Sequence, residues 1–388
     1  MFSARLAWDT PANRLSQALA ARRRAGLEIL DLTESNPTRA GFSYPAEEIL
    51  AALADRRALL YEPAPAGLDC ARRAVAAYYA ARGRTVDPTR ILLTASTSEA
   101  YAYLFKLLAD PGDEVLVPRP SYPLFDYLAA LESVRLRQYP LCYEEAWRLD
   151  IEALAAAITG RTRAVVVVSP NNPTGSFLKQ HELVRLADLC TRHDLALIAD
   201  EVFADYALAP DPERVASLAA FDEALTFSLN GLSKIAGLPQ MKLSWIVVGG
   251  PQELRCRALE RLDLIADTFL SVAAPVQHAL PRLLEAGLSI QQQIAARLRS
   301  DLDTLTALLV DHPAFELLHL EGGWYATLRV PRTRTEEEWC LNLLDHHGVL
   351  VQPGFFFDFP SEAFLVLSLL TPPAVLCEGL TRLLGAGL

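Results

Sequence analysis

Six residues near the middle of the chain, Arg163-Ala-Val-Val-Val-Val168, leave few folds open. Four consecutive valines show no alternation of polar and apolar positions, so the segment predicts a strand buried on both faces. Such strands belong inside parallel sheets with helices packed on either side. Neighbouring segments have the same form. Leu195–Ala199 (LALIA) is a second continuous apolar run, and Ile91–Ala95, Glu114–Val117, Ala224–Leu229 and Trp245–Val248 are further strand candidates. Ser98–Leu108 and Glu182–His193 read as helices between them, the latter with Leu183, Leu186, Leu189 and Cys190 on one face. The alternation predicts an α/β fold, with a mostly parallel central sheet covered by helices.

Beyond Pro251 the pattern turns helical as far as Val310, in two long stretches. The segment from Phe315 to Leu388 adds strand candidates at Trp324–Val330 and Phe364–Leu369. With 388 residues, two domains are expected. We divide the chain into an N-terminal arm (1–45) that packs on the small domain, a large domain (46–280) and a smaller α+β C-terminal domain (281–388).

Ligands in sheets of this kind bind beyond the carboxyl ends of the strands. A net charge of -11 argues against nucleic acid or an anionic membrane as partner. No apolar stretch reaches bilayer length, and the first thirty residues read as an amphipathic arm rather than a leader. The six cysteines are scattered with no CxxC pair, which predicts reduced thiols and a cytoplasmic protein. The seven histidines form no metal pattern, so no metal is assigned; His346-His347 before Gly348 mark a helix end.

Chemistry that needs a free amine has four candidates. Of 36 basic residues only Lys106, Lys179, Lys234 and Lys242 are lysines, and arginine does not lose its proton in a protein. Lys234 lies in Ser228-Leu-Asn-Gly-Leu-Ser-Lys-Ile-Ala-Gly-Leu-Pro-Gln-Met-Lys242, after a strand and among small residues. A flat ligand can approach closely there, and partial burial lowers an amine's pKa. Three other segments also follow strands. Ser169-Pro-Asn-Asn-Pro-Thr-Gly175 forms a tight turn that presents Asn172. Asp200-Glu-Val-Phe203 places a carboxylate where it needs a partner. Ser96-Thr-Ser-Glu99 offers hydroxyls and free N–H groups at a helix start, which suit an anion, and also the spacing of a capping box.

In order and spacing, SPNNPTG, DEVF and SLNGLSKIAGLPQMK resemble the class I/II aminotransferases, a family of fold-type I pyridoxal-phosphate (PLP) enzymes. The resemblance runs from about Asp31 to the C-terminus. It implies that Lys234 holds the cofactor as a Schiff base, that Asp200 partners the pyridine nitrogen, and that Asn172 donates to the ring 3′-oxygen. It implies that Tyr122 stacks on the ring and that Ser96, Thr97, Ser98, Ser233 and Lys242 surround the phosphate. Tyr61 would reach the phosphate of a neighbouring subunit, implying a homodimer with shared active sites. The implied reaction moves an amino group between an amino acid and a 2-oxo acid in ping-pong fashion.

Four positions depart from the family. Phe203 stands where a tyrosine usually touches the 3′-oxygen, which predicts a raised imine pKa. Lys242 stands where an arginine is usual, and Gly231 where many relatives bind phosphate with serine; Ser233 or Ser228 is the expected substitute. Val366, in Phe364-Leu-Val-Leu-Ser368, stands where an arginine grips the substrate carboxylate. Arg39, in Glu34-Ser-Asn36-Pro-Thr-Arg39, is the first replacement considered and Arg329 the second, with Asn36 beside the substrate. A PLP lyase or decarboxylase on the same fold is the alternative reading. A non-enzymatic ligand sensor of the same fold is a third, disfavoured by the acidic charge.

Overall fold

The computed structural model describes residues 2–8 and 12–387. Its largest element is an eight-stranded sheet. The strands are β1 (Ile91–Thr94), β2 (Glu114–Arg119), β3 (Arg135–Glu144), β4 (Ala146–Leu149), β5 (Thr162–Val168), β6 (Ala196–Asp200), β7 (Thr226–Gly231) and β8 (Ser244–Gly249), in spatial order β1-β8-β7-β6-β5-β2-β3-β4. From β3 through β2, β5 and β6 to β7 every pairing is parallel. Only β8, which runs against both β1 and β7, and the hairpin strand β4 are antiparallel.

The valine run is the two-faced strand its composition predicts. Ala164 and Val166 pack with Ala100, Leu104 and Leu262 on one side. Val165 and Val167 pack with Leu183, Leu186 and Leu189 on the other. The helices Thr97–Leu108 and Gln252–Asp267 therefore cover one face, and Gln180–Arg192 covers the second. Each fully buried valine contributes about 1.5–3 kcal/mol of transfer free energy, so a polar residue within the run would oppose the whole layer arrangement.

A second, four-stranded antiparallel sheet has the order Glu316–Leu317, Tyr325–Arg329, Phe364–Ser368, Gln352–Pro353. The chain's first strand, Leu30–Asp31, pairs in parallel with Val349–Leu350, so the N-terminal segment lies against this C-terminal part. The helix Ala274–Leu309 runs through residues 280 and 281 without a break, so the domain junction we propose there lies within one rod. Its buried face, including Leu280, Leu283, Ile290 and Ile294, packs in one cluster with residues of both parts. Gly348, at φ 68, ends the turn carrying His346 and His347. All six cysteines are free thiols. Among the described residues no helix is long and apolar enough to cross a membrane.

Candidate active site

Strand β7 ends at Gly231, and a single helical turn, Leu232–Ile235, carries Lys234. Three side chains from distant segments hold this turn and the residues just after it by their carbonyls. The Tyr206 hydroxyl donates to Lys234 O at 2.6 Å, Gln291 Nε2 to Ile235 O at 2.9 Å, and the Tyr44 hydroxyl to Gly237 O at 2.8 Å. The four lysines have separate fates. Lys106 is paired with Glu132, and Lys179 with Asp211 and Glu321. Lys242 is exposed. Lys234 stands over aromatic faces, its Nζ 4.7 Å from the Trp324 ring centre and 5.4 Å from that of Phe203. Burial lowers its pKa to about 8, against the pull of the negative Asp200.

Asp200 closes strand β6 and is buried. Its Oδ2 accepts from the Tyr101 hydroxyl at 3.0 Å and its Oδ1 from the Val202 N–H at 3.2 Å. Burial pushes its carboxyl up to about 6, and the two donors and Lys234 restrain the rise. Asn172 follows strand β5 and is also buried; among the described residues its carboxamide Oδ1 accepts no hydrogen bond. An unpartnered buried acceptor costs about 1–3 kcal/mol; a ligand N–H or O–H would relieve it, and the amide N–H₂ of the same side chain can donate to a ligand oxygen. The adjacent Asn171 donates to Pro120 O at 3.1 Å and so ties this loop to the one bearing Tyr122. Burial, then Tyr325 and Asp200, raises the Tyr122 hydroxyl to about 12, although the residue is 40 % exposed.

An amine, a carboxylate that can partner a ring N–H, an unsatisfied amide and aromatic faces thus meet at the carboxyl ends of β5, β6 and β7. This donor set fits a flat, electron-poor heteroaromatic aldehyde. At the end of β1, Ser96 caps the helix Thr97–Leu108, its Oγ accepting from Glu99 N at 3.1 Å. Glu99 Oε2 accepts in turn from Ala95 N at 2.6 Å, one residue before the cap. The cap and an anion site are compatible, because the Ser96 hydroxyl proton and the N–H groups of Thr97 and Ser98 are not consumed by the cap. Ser233 lies in the Lys234 turn. Ser228 does not belong to this group. Strand alternation puts it on the sheet face opposite Phe227 and Leu229, which pack against that helix, and it is fully buried.

Other expected residues lie apart. Tyr61 is 78 % exposed and lines a surface cleft of about 220 Å³ with Leu93, Tyr103 and Ser271. Arg39 is exposed, in a loop where Asn36 Oδ1 accepts from the N–H and hydroxyl of Thr38. Val366 is fully buried, packed with Trp147, Leu318, Phe357, Phe359 and Phe364. Arg329 is paired with Glu316.

Sequence reasoning missed Tyr101, Trp324, Tyr206, Tyr44, Gln291 and Asn171. Asn171 had a signal, since it adjoins Asn172 in the same turn motif. The others have none, because each meets its partner only through the fold.

The sequence profile of the family described as aminotransferase class I and II matches residues 28–383. The glutamate-pyruvate aminotransferase AlaA of Escherichia coli is 30% identical over 343 residues, covering 86% of this chain and 84% of that protein. The alanine aminotransferase of Mycobacterium tuberculosis is 31% identical over 376 residues, covering 94% and 87%. Among solved structures, an aminotransferase from Escherichia coli superposes with a TM-score of 0.87 at 28% identity, covering 99% of this chain and 97% of that one.

Proposed function

The chain belongs to the class I and II aminotransferases, and from that premise we propose that Lys234, Asp200 and Asn172 form its catalytic centre, with pyridoxal 5′-phosphate as cofactor. The observation that carries the reading is the Lys234 amine set over the Trp324 and Phe203 rings just beyond β7, near enough to the buried Asp200 for the two charges to act on each other.

Lys234 would hold the cofactor through its aldehyde, Asp200 would partner the pyridine nitrogen, and Asn172 would bond the ring 3′-oxygen. Tyr122 would cover one ring face, with Phe203 close by. Ser96, Thr97, Ser98, Ser233 and Lys242 would surround the phosphate. When bound, pyridoxal phosphate supplies an electron sink for cleavage at the substrate's α-carbon. The residues divide the remaining work. Asp200, fixed by Tyr101 and Val202, would supply the negative charge that a ring N–H needs. Lys234 Nζ, which gives up its proton more readily than an ordinary lysine, would accept the proton from the substrate α-carbon and hand it on. Trp324 and Phe203 keep water from that amine. Tyr206, Gln291 and Tyr44 hold the Lys234 turn, so that the amine keeps its place after release.

For the amino donor and the 2-oxo acid acceptor, one named relative is a glutamate-pyruvate aminotransferase and the other an alanine aminotransferase, and pyruvate is the 2-oxo acid that corresponds to alanine. We therefore assign alanine and pyruvate to one half-reaction. The carboxylate would be bound near the loop of Asn36 and Arg39, because Val366 offers no charge and is sealed in an apolar cluster. A homodimer would place Tyr61 in the partner's site; exposed Leu59, Leu60, Leu264 and Phe269 are apolar surface such an interface would cover.

The test is a half-reaction screen on the cofactor-loaded protein. L-Alanine should convert the cofactor to its amine form with release of pyruvate and no ammonia. Ammonia or carbon dioxide release in place of amine-form cofactor would instead select a lyase or a decarboxylase.

A further inference from the structure

We propose that Ser244 supplies a hydroxyl to the phosphate end of the cofactor site, taking the place of any side chain at position 231. The proposal rests on the pyridoxal phosphate reading above and adds a residue that the binding motifs do not contain.

Strand register gives the location. Ser244 opens β8 and pairs with Thr94 on one side and with Gly231 on the other. Thr94 leads into Ser96 and the helix Thr97–Leu108; Gly231 leads into the Lys234 turn. Ser244 therefore lies between the helix start and the lysine, at the sheet edge where both leave.

Strand alternation gives the direction. Ser244, Ile246 and Val248 share a face. Ile246 and Val248 pack in one cluster with Ala100, Tyr101 and Leu104 of that helix. The Ser244 side chain thus stands on the helix-covered face, beneath the helix's first turn. Ser228 is on the other face.

Gly231 supplies an independent observation. Its φ of 176° is extended backbone open to any residue, so conformation does not demand glycine. Space does. A Cβ at 231 would lie 2.2 Å from Ser244 Oγ and 2.7 Å from Ser244 Cβ. The serine hydroxyl occupies the volume a side chain at 231 would need. The two positions are alternatives: one hydroxyl can be delivered to this spot, and here it arrives from β8 instead of β7. Ser244 is only 2 % exposed, and a hydroxyl so screened from water makes a stronger bond to a dianion than an exposed one.

The experiment compares wild type, Ser244→Ala, and the exchange variant Gly231→Ser with Ser244→Gly. Each holoenzyme is stripped and retitrated with pyridoxal phosphate and with pyridoxal, which lacks the phosphate; the ³¹P resonance of each holoenzyme is recorded. Ser244→Ala should weaken pyridoxal phosphate about tenfold, the size of one hydrogen bond to a charged group. It should leave pyridoxal affinity and the melting temperature of the cofactor-free protein unchanged, and shift the ³¹P resonance. The exchange variant should recover the affinity, because its hydroxyl returns from the opposite strand. Unchanged pyridoxal phosphate affinity in Ser244→Ala would overturn the proposal. So would an equal loss for pyridoxal, or an exchange variant that folds and binds no better than Ser244→Ala. Failure of the underlying reading looks different: wild-type protein would bind neither compound covalently at Lys234.

Discussion

The hydroxyl of Tyr101 donates a 3.0 Å hydrogen bond to Oδ2 of Asp200. Tyr101 is fully enclosed, its ring edge-to-face with Phe125 at 5.3 Å. The bond stabilises a carboxylate that burial otherwise pushes toward neutrality. Removing it in Tyr101→Phe should raise the Asp200 pKa above about 6. Protonated Asp200 lacks the charge that partners a ring N–H. Cofactor affinity should therefore begin to fall at a higher pH than in wild type. Dissociation constants measured from pH 5 to 8 test this, and superimposable profiles would remove Tyr101 from the role.

Lys234 should show its lowered pKa directly. The neutral amine is the nucleophile, and its fraction rises as pH passes the pKa. Capture of pyridoxal phosphate by the cofactor-free protein should therefore accelerate up to about pH 8 and then level off, rather than climbing toward 10.5. Stopped-flow absorbance gives the profile. Lys234→Arg should capture nothing, since a guanidinium keeps its proton.

Asp200→Asn should separate stability from function. A carboxyl whose folded pKa is raised contributes most below its unfolded value, near 3.8, and that contribution is lost as pH rises through about 6. At pH 7 the cofactor-free protein therefore holds a destabilising buried charge. Replacing it with a neutral amide should stabilise that form by roughly 1–3 kcal/mol. Cofactor binding and transamination should collapse. Thermal melts with and without cofactor check both halves, and a lower melting temperature for the cofactor-free variant would contradict the assignment.

Phe203 offers no hydroxyl to the ring 3′-oxygen. Phe203→Tyr should add one and lower the pH at which the bound cofactor's absorbance titrates, because a donor there stabilises the deprotonated chromophore. The Phe203 ring packs at 5.2 Å from Trp324, so the extra oxygen must fit an aromatic neighbourhood. A titration midpoint that stays put or rises would rule out this account.

Arg39 is exposed and makes no ion pair among the described residues. If its charge anchors the substrate carboxylate, Arg39→Ala should raise KM about tenfold or more, with a smaller effect on kcat. Steady-state kinetics with the best donor from the half-reaction screen decide the point; an unaltered KM would leave the anchor to neutral groups.

Much of the fold was legible because local pattern and burial coincide in parallel sheets. The valine run, LALIA and the strands around them needed no tertiary information, since a strand covered on both faces must be apolar throughout. The hairpin Arg135–Glu144 with Ala146–Leu149 was not foreseen, because apart from Tyr139 and Trp147 its residues are exposed or half-buried and carry no strong apolar run.

The sequence by itself also singled out the groups to which the proposed chemistry is assigned. Lysine is scarce, and Lys234, Asp200 and Asn172 each lie at or just beyond the carboxyl end of a strand, on the ligand-binding edge. The tertiary structure decided how those groups are held and tuned. Tyr44 reaches Gly237 across 193 positions, Tyr101 reaches Asp200 across 99, and Gln291 reaches Ile235 across 56. Pairings that distant leave no local periodicity to read. It likewise decided the setting of Val366, which the sequence marks only as an uncharged position and the fold seals among aromatic rings. Residue types and their order fix which atoms can react; electrostatic environment and space depend on neighbours that only folding brings within reach.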